Sequence, residues 1–323
     1  MVAALVSALL TTLWIRLARA RRIEDLPGPR RLHESATPRG GGIGISLVMI
    51  ATSILLAMRT DGSVAWLGIA AAIAAFSAIG LLDDLWPLPA WSKLLLQVAA
   101  ASLLLVALDV SPPIAWFLPA VIAIAYGINV WNFMDGSNGL VAGQSLLIAV
   151  AVSVWPGVSF PLRLGAMSLA GACAGFLPFN LPRARVFLGD VGSHTLGASV
   201  LVLLCLAWRQ DALQPAQALL IVSAMLLDAS LTLARRILSG RKFWQPHREH
   251  LYQYAVRSGY SHVRVCLGYA SWTTMATGVA WFAGAGLDSG STSWLVSIVV
   301  AAGCLIHFGL RRHWLGSRTT RKN

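Results

Sequence analysis

Eleven long apolar runs follow one another along the chain, at about 2–18, 41–58, 64–82, 93–108, 114–131, 139–155, 162–179, 194–208, 215–234, 264–286 and 292–310. With flanking residues added, each approaches the roughly 20 residues a helix needs to cross a bilayer. Hydrocarbon offers no partner to an open N–H or C=O, so runs of this kind are satisfied as helices. The expected fold is therefore all-α: one polytopic membrane bundle of about 11 transmembrane helices spanning 1–323 as a single domain. Charge usage agrees, at 12% of the residues, where a soluble domain carries roughly a quarter. The four cysteines all lie in apolar runs with no C-x-x-C among them, which supports neither a disulfide framework nor a zinc site.

The loops divide the chain into two faces. Loops after even-numbered runs hold only Arg59, Arg163 and Arg209 of the 25 Lys and Arg residues; the odd-side loops and the tail hold the rest. Basic residues collect on the cytoplasmic side of membrane proteins. This orientation leaves the N-terminus periplasmic and the C-terminus cytoplasmic. The first run has a dense basic block at and after its end (Arg16, Arg19, Arg21, Arg22) and no basic residue before it, which reads as a retained span and not a cleaved leader. The net charge of +12 then points to an anionic membrane surface or an anionic substrate, and no nucleic acid is expected as a partner.

Four polar clusters share the odd face, because an even number of crossings separates each from the next. Asp83-Asp84 end the third run, and Asn129 to Asn138 follow the fifth. Asn180 to Ser193 follow the seventh, and His247-Arg248-Glu249-His250 lies beyond the ninth. Adjacent carboxylates at a helix C-terminus repel each other and oppose the helix dipole unless a cation is near. A solvated loop start is the plain alternative. The segment F-L-G-D-V-G-S reads as a helix start suited to a phosphate, with Asp190 able to hold a metal that binds one. Asp-Gly and Asn-Gly within N-V-W-N-F-M-D-G-S-N-G-L are also ordinary turn chemistry, and H-x-x-H alone is weak. Ionisable residues at membrane depth are nonetheless costly and mark function. Asp228, inside the ninth run, needs a partner: another helix, or in part Arg235.

Five motifs in order carry a resemblance: P-R-G-G-G from Pro38, L-D-D-L-W with Lys93 downstream, N-V-W-N-F-M-D-G-S-N-G-L, N-L-P-R-A-R-V-F-L-G-D-V-G-S, and H-R-E-H-L ending near His250. Together they resemble the polyprenyl-phosphate N-acetylhexosamine-1-phosphate transferases, the superfamily of phospho-N-acetylmuramoyl-pentapeptide transferase. The last motif is most similar to the O-antigen and capsule initiators. The resemblance implies a Mg²⁺-dependent enzyme (Mn²⁺ as an alternative) of the bacterial inner membrane, with its active site on the cytoplasmic face. It would transfer a sugar 1-phosphate from a UDP-N-acetylhexosamine to undecaprenyl phosphate and release UMP. UDP-GlcNAc is the expected donor, with the GalNAc, FucNAc and QuiNAc nucleotides as alternatives. A homodimer is compatible with it.

Position by position, the resemblance implies Asp190 as the main Mg²⁺ ligand, with Asp135 lining the metal and nucleotide site. Asp83 would act as base on the lipid phosphate, and Asp84 would help hold metal or phosphate. Asn132 would line the nucleotide site, Phe187 would stack on uracil with Asn180 near it, and Asn138 would hydrogen-bond there. His247 or His250 would contact the diphosphate, with Arg248 beside them. Lys93 and Arg39 would be supporting cations. The chain departs from relatives in carrying Asn138 where many have a second Asp, and in lacking a Lys in His33 to Thr37. Two rivals predict other patterns. A cation-coupled transporter would place acids at the midplane, where only Asp228 lies. A phosphatidyl-group transferase would place Asp-Gly before Ala-Arg, whereas Asp135-Gly136 precedes Ser137-Asn138.

Overall fold

The computed structural model describes residues 1–25, 36–110, 112–242, 245, 247–284 and 289–319. His33, Glu34 and Ser35 of the Lys-free segment lie outside these residues. Among those described, the chain forms twelve helices. They are α1 (Val2–Ala20), α2 (Ile43–Arg59), α3 (Ser63–Leu85), α4 (Ala90–Ala107), α5 (Ile114–Met134), α6 (Leu140–Val154), α7 (Phe160–Asn180), α8 (Gly189–Arg209), α9 (Pro215–Leu238), α10 (Leu251–Arg257), α11 (His262–Gly284) and α12 (Ser289–Thr319). A two-residue antiparallel pairing, β1 (Glu24–Asp25) with β2 (Thr37–Pro38), is the only other regular structure among them.

Eight of the described helices (α1, α3, α4, α5, α7, α8, α9 and α12) are long and apolar enough to cross a membrane, and α2 and α6 are apolar but shorter. The protein is thus an all-α, multi-pass membrane protein. Helix α11 forms where the tenth span is expected but is not among the eight. Helix α10 falls in a segment expected to be loop. The basic tail from Arg311 continues α12 as far as Thr319.

Two compact units divide the chain, Met1–Ala212 and Leu213–Asn323. In the first, α8 is the central element, packed against α2, α3, α5, α6 and α7. Its first turns are buried nearly all round, from Val191 to Val200. Small residues permit this. A Cβ on Gly80 of α3 would fall on the backbone of Asp190 and Val191, and one on Gly42, just before α2, would fall on Gly192. Hydroxyls then fasten the helices. Thr195 Oγ1 of α8 is 2.6 Å from both Ser46 Oγ of α2 and Ser77 Oγ of α3. In lipid, where apolar contact alone does not favour helix pairing over helix–lipid contact, small residues and interhelical hydrogen bonds supply the association. In the second unit α9 packs on α11 and α12, and α10 on α11 and α12.

Candidate active site

In the first unit the ends of four helices and the loop before α2 meet around Asp190. Asp83 and Asp84 lie in the last turn of α3, Lys93 in the first turn of α4, Asp135 just past α5, and Asp190 in the first turn of α8. Arg39 comes from the Pro38 to Gly42 segment. That segment is zipped to the chain ahead of α8: Phe187 donates its N–H to Pro38 O at 2.8 Å, Gly41 to Phe187 O at 2.8 Å, and Gly42 to Leu188 O at 2.9 Å. The P-R-G-G-G and F-L-G-D motifs are therefore one local structure. Gly189, at φ +76°, stands where a side chain would collide with Asp84 Oδ2 and Gly40.

The two acids of the third helix do different work. Asp84 is buried and fully occupied. Its Oδ1 accepts from Arg39 Nη2 at 2.6 Å and Nε at 3.0 Å, and from the Asp190 N–H at 3.0 Å. Its Oδ2 accepts the Val191 N–H at 3.1 Å. The first N–H groups of a helix have no partner within it, and a carboxylate placed there also meets the positive end of the dipole. Asp84 opposes the dipole of α3 but satisfies that of α8, which accounts for an acid at a helix C-terminus. Burial lowers the Arg39 proton affinity, but Asp84 beside it prevails and holds the guanidinium above its ordinary range.

Asp83 faces the open side. Its Oδ1 accepts the Leu88 N–H at 2.7 Å and its Oδ2 the Lys93 ammonium at 2.9 Å. Lys93 also donates to Asp190 Oδ2, so one cation bridges the two carboxylates. Side chains of Asp83, Lys93 and Asp190 keep 16–20% of their surface exposed. Asp135 accepts the Gly189 N–H, and burial together with the negative charges of Asp190 and Asp84 pushes its carboxyl well above the ordinary carboxylate range.

The remaining positions expected of the site have these surroundings. Asn132 donates to Ser193 Oγ at 3.1 Å, one turn below Asp190. Asn180 is buried, accepting the Gly139 N–H at 2.5 Å and donating to Val186 O at 2.9 Å, so it braces the start of α6 against the loop that leads to Asp190. Asn138 donates to Pro182 O at 3.4 Å in that same loop. Phe187 is half-buried and its backbone carries the zipper described above.

One buried relay escaped the reading of the sequence. His194 Nδ1 is 2.6 Å from Asp190 O, and a carbonyl only accepts, so the proton sits on Nδ1. The other ring nitrogen, Nε2, then accepts from Gln97 Nε2 at 2.7 Å, and Gln97 Oε1 accepts from Asn129 Nδ2 at 2.7 Å. The signal was present in the spacing: Gln97 is four residues past Lys93 and His194 four past Asp190, which puts each on the face of its neighbour one turn on.

The second unit holds the His247 to His250 segment. The two imidazoles are 5.0 Å apart. Arg248 between them is half-buried. Glu249 pairs with Arg235, Arg236 and Arg241, so Arg235 turns to Glu249 and not to Asp228. Asp228 finds its partners on α10 and α11, the interhelical alternative of the sequence reading.

The donor set around Asp190 suits a hard cation. Among the described residues no three acidic, His or Cys groups are arranged as a ready-made metal cage. Mg²⁺ ordinarily takes only one or two carboxylates and completes its shell with water and phosphate oxygens, and Asp190 with Asp135 supplies that number.

The glycosyl transferase family 4 profile matches residues 66–208, which covers Asp83 to Asp190 and leaves out Arg39 and the His segment. Over 307 residues the chain is 31% identical to the decaprenyl-phosphate N-acetylglucosaminephosphotransferase of Mycobacterium leprae, covering 78% of this chain and 75% of that one. It is 28% identical to a probable undecaprenyl-phosphate N-acetylglucosaminyl 1-phosphate transferase of Bacillus subtilis, with 81% and 78% covered. To the phospho-N-acetylmuramoyl-pentapeptide-transferase of a Synechococcus strain it is 30% identical, with 85% and 88% covered. With the family profile over its centre and relatives at 30–31% identity that match along most of its length, the chain belongs to glycosyl transferase family 4.

Proposed function

We propose that this protein transfers N-acetylglucosamine 1-phosphate from UDP-N-acetylglucosamine to undecaprenyl phosphate, releasing UMP, as the first membrane step of an envelope polysaccharide. The observation that carries the reading is the Asp83–Lys93–Asp190 bridge at the meeting of α3, α4 and α8. Both substrates are anions, and phosphoryl transfer gains chiefly from positioning and charge stabilisation. Lys93 and Arg39 supply fixed positive charge, and the acids supply the means of holding a divalent cation. A bound Mg²⁺, held by Asp190 with Asp135, would neutralise charge on the diphosphate.

In this reading Asp83 accepts the proton of the lipid phosphate, or orients it, as that oxygen attacks the sugar-linked phosphorus. UMP leaves with the broken P–O bond. Asn132, Asn138, Asn180 and Phe187 serve the nucleotide, and His247 or His250, with Arg248, serves the diphosphate. The basic bias of the odd-side loops supports a cytoplasmic active site, where a soluble nucleotide meets a lipid phosphate.

The test is UMP release by purified protein in Mg²⁺, with Asp83→Asn and Asp190→Asn. Loss of turnover by two or more orders of magnitude in each is expected. Near-wild-type rates in both would end the reading. A panel of UDP-sugars in the same assay tests the donor, and GlcNAc should give the highest kcat/KM.

A further inference from the structure

A carboxylate at the depth of a membrane span is costly unless its oxygens are filled, and Asp228 of α9 is buried with every direction taken. Its Oδ1 accepts the Leu251 N–H at 2.8 Å and the Thr232 hydroxyl at 3.2 Å. Its Oδ2 accepts the Tyr269 hydroxyl at 2.6 Å and the Tyr252 N–H at 3.4 Å. The imidazoles of His250 and His307 bring Nδ1 to 3.7 and 3.9 Å from Oδ1. Two of these donors are the backbone of the first two residues of α10, which start directly after His250.

A helix of seven residues is far below the length that is stable alone, and its first N–H groups have no partner within it. Whatever accepts them decides where the helix begins. Here the acceptor of the first two, Leu251 and Tyr252, belongs to a different, long helix, while His250 and Gln253 cap the same turn locally. His250 precedes that start in extended backbone, at φ −67° and ψ 151°. Its ring stacks on Tyr252 at 5.7 Å and lies 5.0 Å from His247. Move the start of α10, and both imidazoles move with it.

We propose that Asp228 is a positioning residue: it pins the first turn of α10 to α9 and thereby sets the place of His250. The consequence for turnover rests on the reading that His250 serves the diphosphate.

The experiment is a double-mutant cycle on the full-length protein with Asp228→Asn, His250→Ala and the pair combined. UMP release gives kcat and KM, and hydrogen exchange is followed in the peptide covering 247–257. Asn keeps the size but replaces half of the acceptor capacity by donors. Asp228→Asn is expected to lose amide protection at Leu251 and Tyr252 and at least tenfold in kcat. The combined variant should be no more than twofold slower than His250→Ala alone, because residues acting through one another are not additive. Independent losses that multiply would overturn the proposal, since a general weakening of the fold acts that way. Unchanged protection and turnover in Asp228→Asn would overturn it too. Full turnover in His250→Ala sinks the functional reading of the His segment and the catalytic half of this proposal, while the exchange data still decide whether Asp228 holds the turn. Should Asp228→Asn not fold, Asp228→Glu, which keeps the acceptors and displaces them, enters the same cycle with the same expectations.

Discussion

Asp84 accepts the backbone N–H of Asp190 at 3.0 Å, so an acid at the end of one helix fixes the first turn of another 106 residues away. The same carboxylate neutralises Arg39 and has 1% of its side chain exposed. Removing one partner of a buried ion pair costs about 3–5 kcal/mol, because the other is left uncompensated. Asp84→Ala is expected to lose stability on that scale and to lose turnover. Asp84→Asn keeps some acceptor capacity and should lose about 1–3 kcal/mol. Unfolding in detergent, followed by tryptophan fluorescence, measures both. Equal stability of Asp84→Ala and wild type would mean that the α8 cap and the Arg39 pair do not form.

Lys93 makes a different prediction, because its two acids face the open side of the site. Replacing it by Gln leaves Asp83 and Asp190 close together without their bridging cation. Like charges at that separation favour any cation that enters. UMP release should fall by about a hundredfold, and half-saturation by Mg²⁺ should move to lower concentration. A Mg²⁺ titration of turnover reads both effects. Half-saturation that stays put or rises would show that Lys93 does not hold those carboxylates together.

Close helix approach at the site rests on a hydrogen atom at position 80. A methyl group there meets the Asp190 carbonyl and the Val191 nitrogen, both backbone. Backbone cannot swing aside as a side chain does, so α3 and α8 must part. Overpacking of this kind costs about 1–3 kcal/mol, and it displaces Asp190. Gly80→Ala is expected to lower both the thermal midpoint and kcat. Gly143 of α6 is the control, with nothing within 4 Å of an added Cβ, and Gly143→Ala should gain about 0.5–1 kcal/mol from helix propensity alone. If the two variants melted alike, the close contact of α3 with α8 would be refuted.

Crossing parity gave Asp83, Asp84, Asp135 and Asp190 only a common face, whereas the fold brings the ends of α3 and α5 to the start of α8. The helical start at Gly189 was legible from its glycines and from Asp190. The division of labour between Asp83 and Asp84 was not, since two adjacent acids look alike until the fold shows which one meets the α8 N–H groups. Asn180 illustrates the same limit: its place at a helix end does not tell that its amide also joins α6 to the loop ahead of α8. Gln97 and His194 were passed over as isolated polar residues in apolar runs, since hydropathy averages them away. Helix α10 was passed over because seven residues are too few to show a helical period, and one acceptor of its first N–H groups, Asp228, lies 23 residues before it.

The His segment carries two pH dependences of distinct range. Burial, then the charges of His250 and Arg236, bring His247 down from 6.5 to about 4. Its folded form therefore prefers the neutral ring. An unfolded chain takes up the proton below about 6.5 while the folded one declines it, so this contribution to stability is whole above 6.5 and is lost as pH falls through 4. Glu249 works in a lower range. Burial raises its carboxyl, but the guanidiniums of Arg235, Arg236 and Arg241 outweigh that and bring it from 4.5 to about 2. Its contribution is whole above 4.5 and lost as pH falls through 2. Protection of the 247–257 amides, measured by hydrogen exchange from pH 7.5 to 2.5 with the intrinsic rate divided out, should decline in both ranges. His247→Gln should flatten the upper decline and leave the lower one, and Glu249→Gln should do the reverse. A His247→Gln variant that kept the full decline between pH 6.5 and 4 would assign that titration to another group.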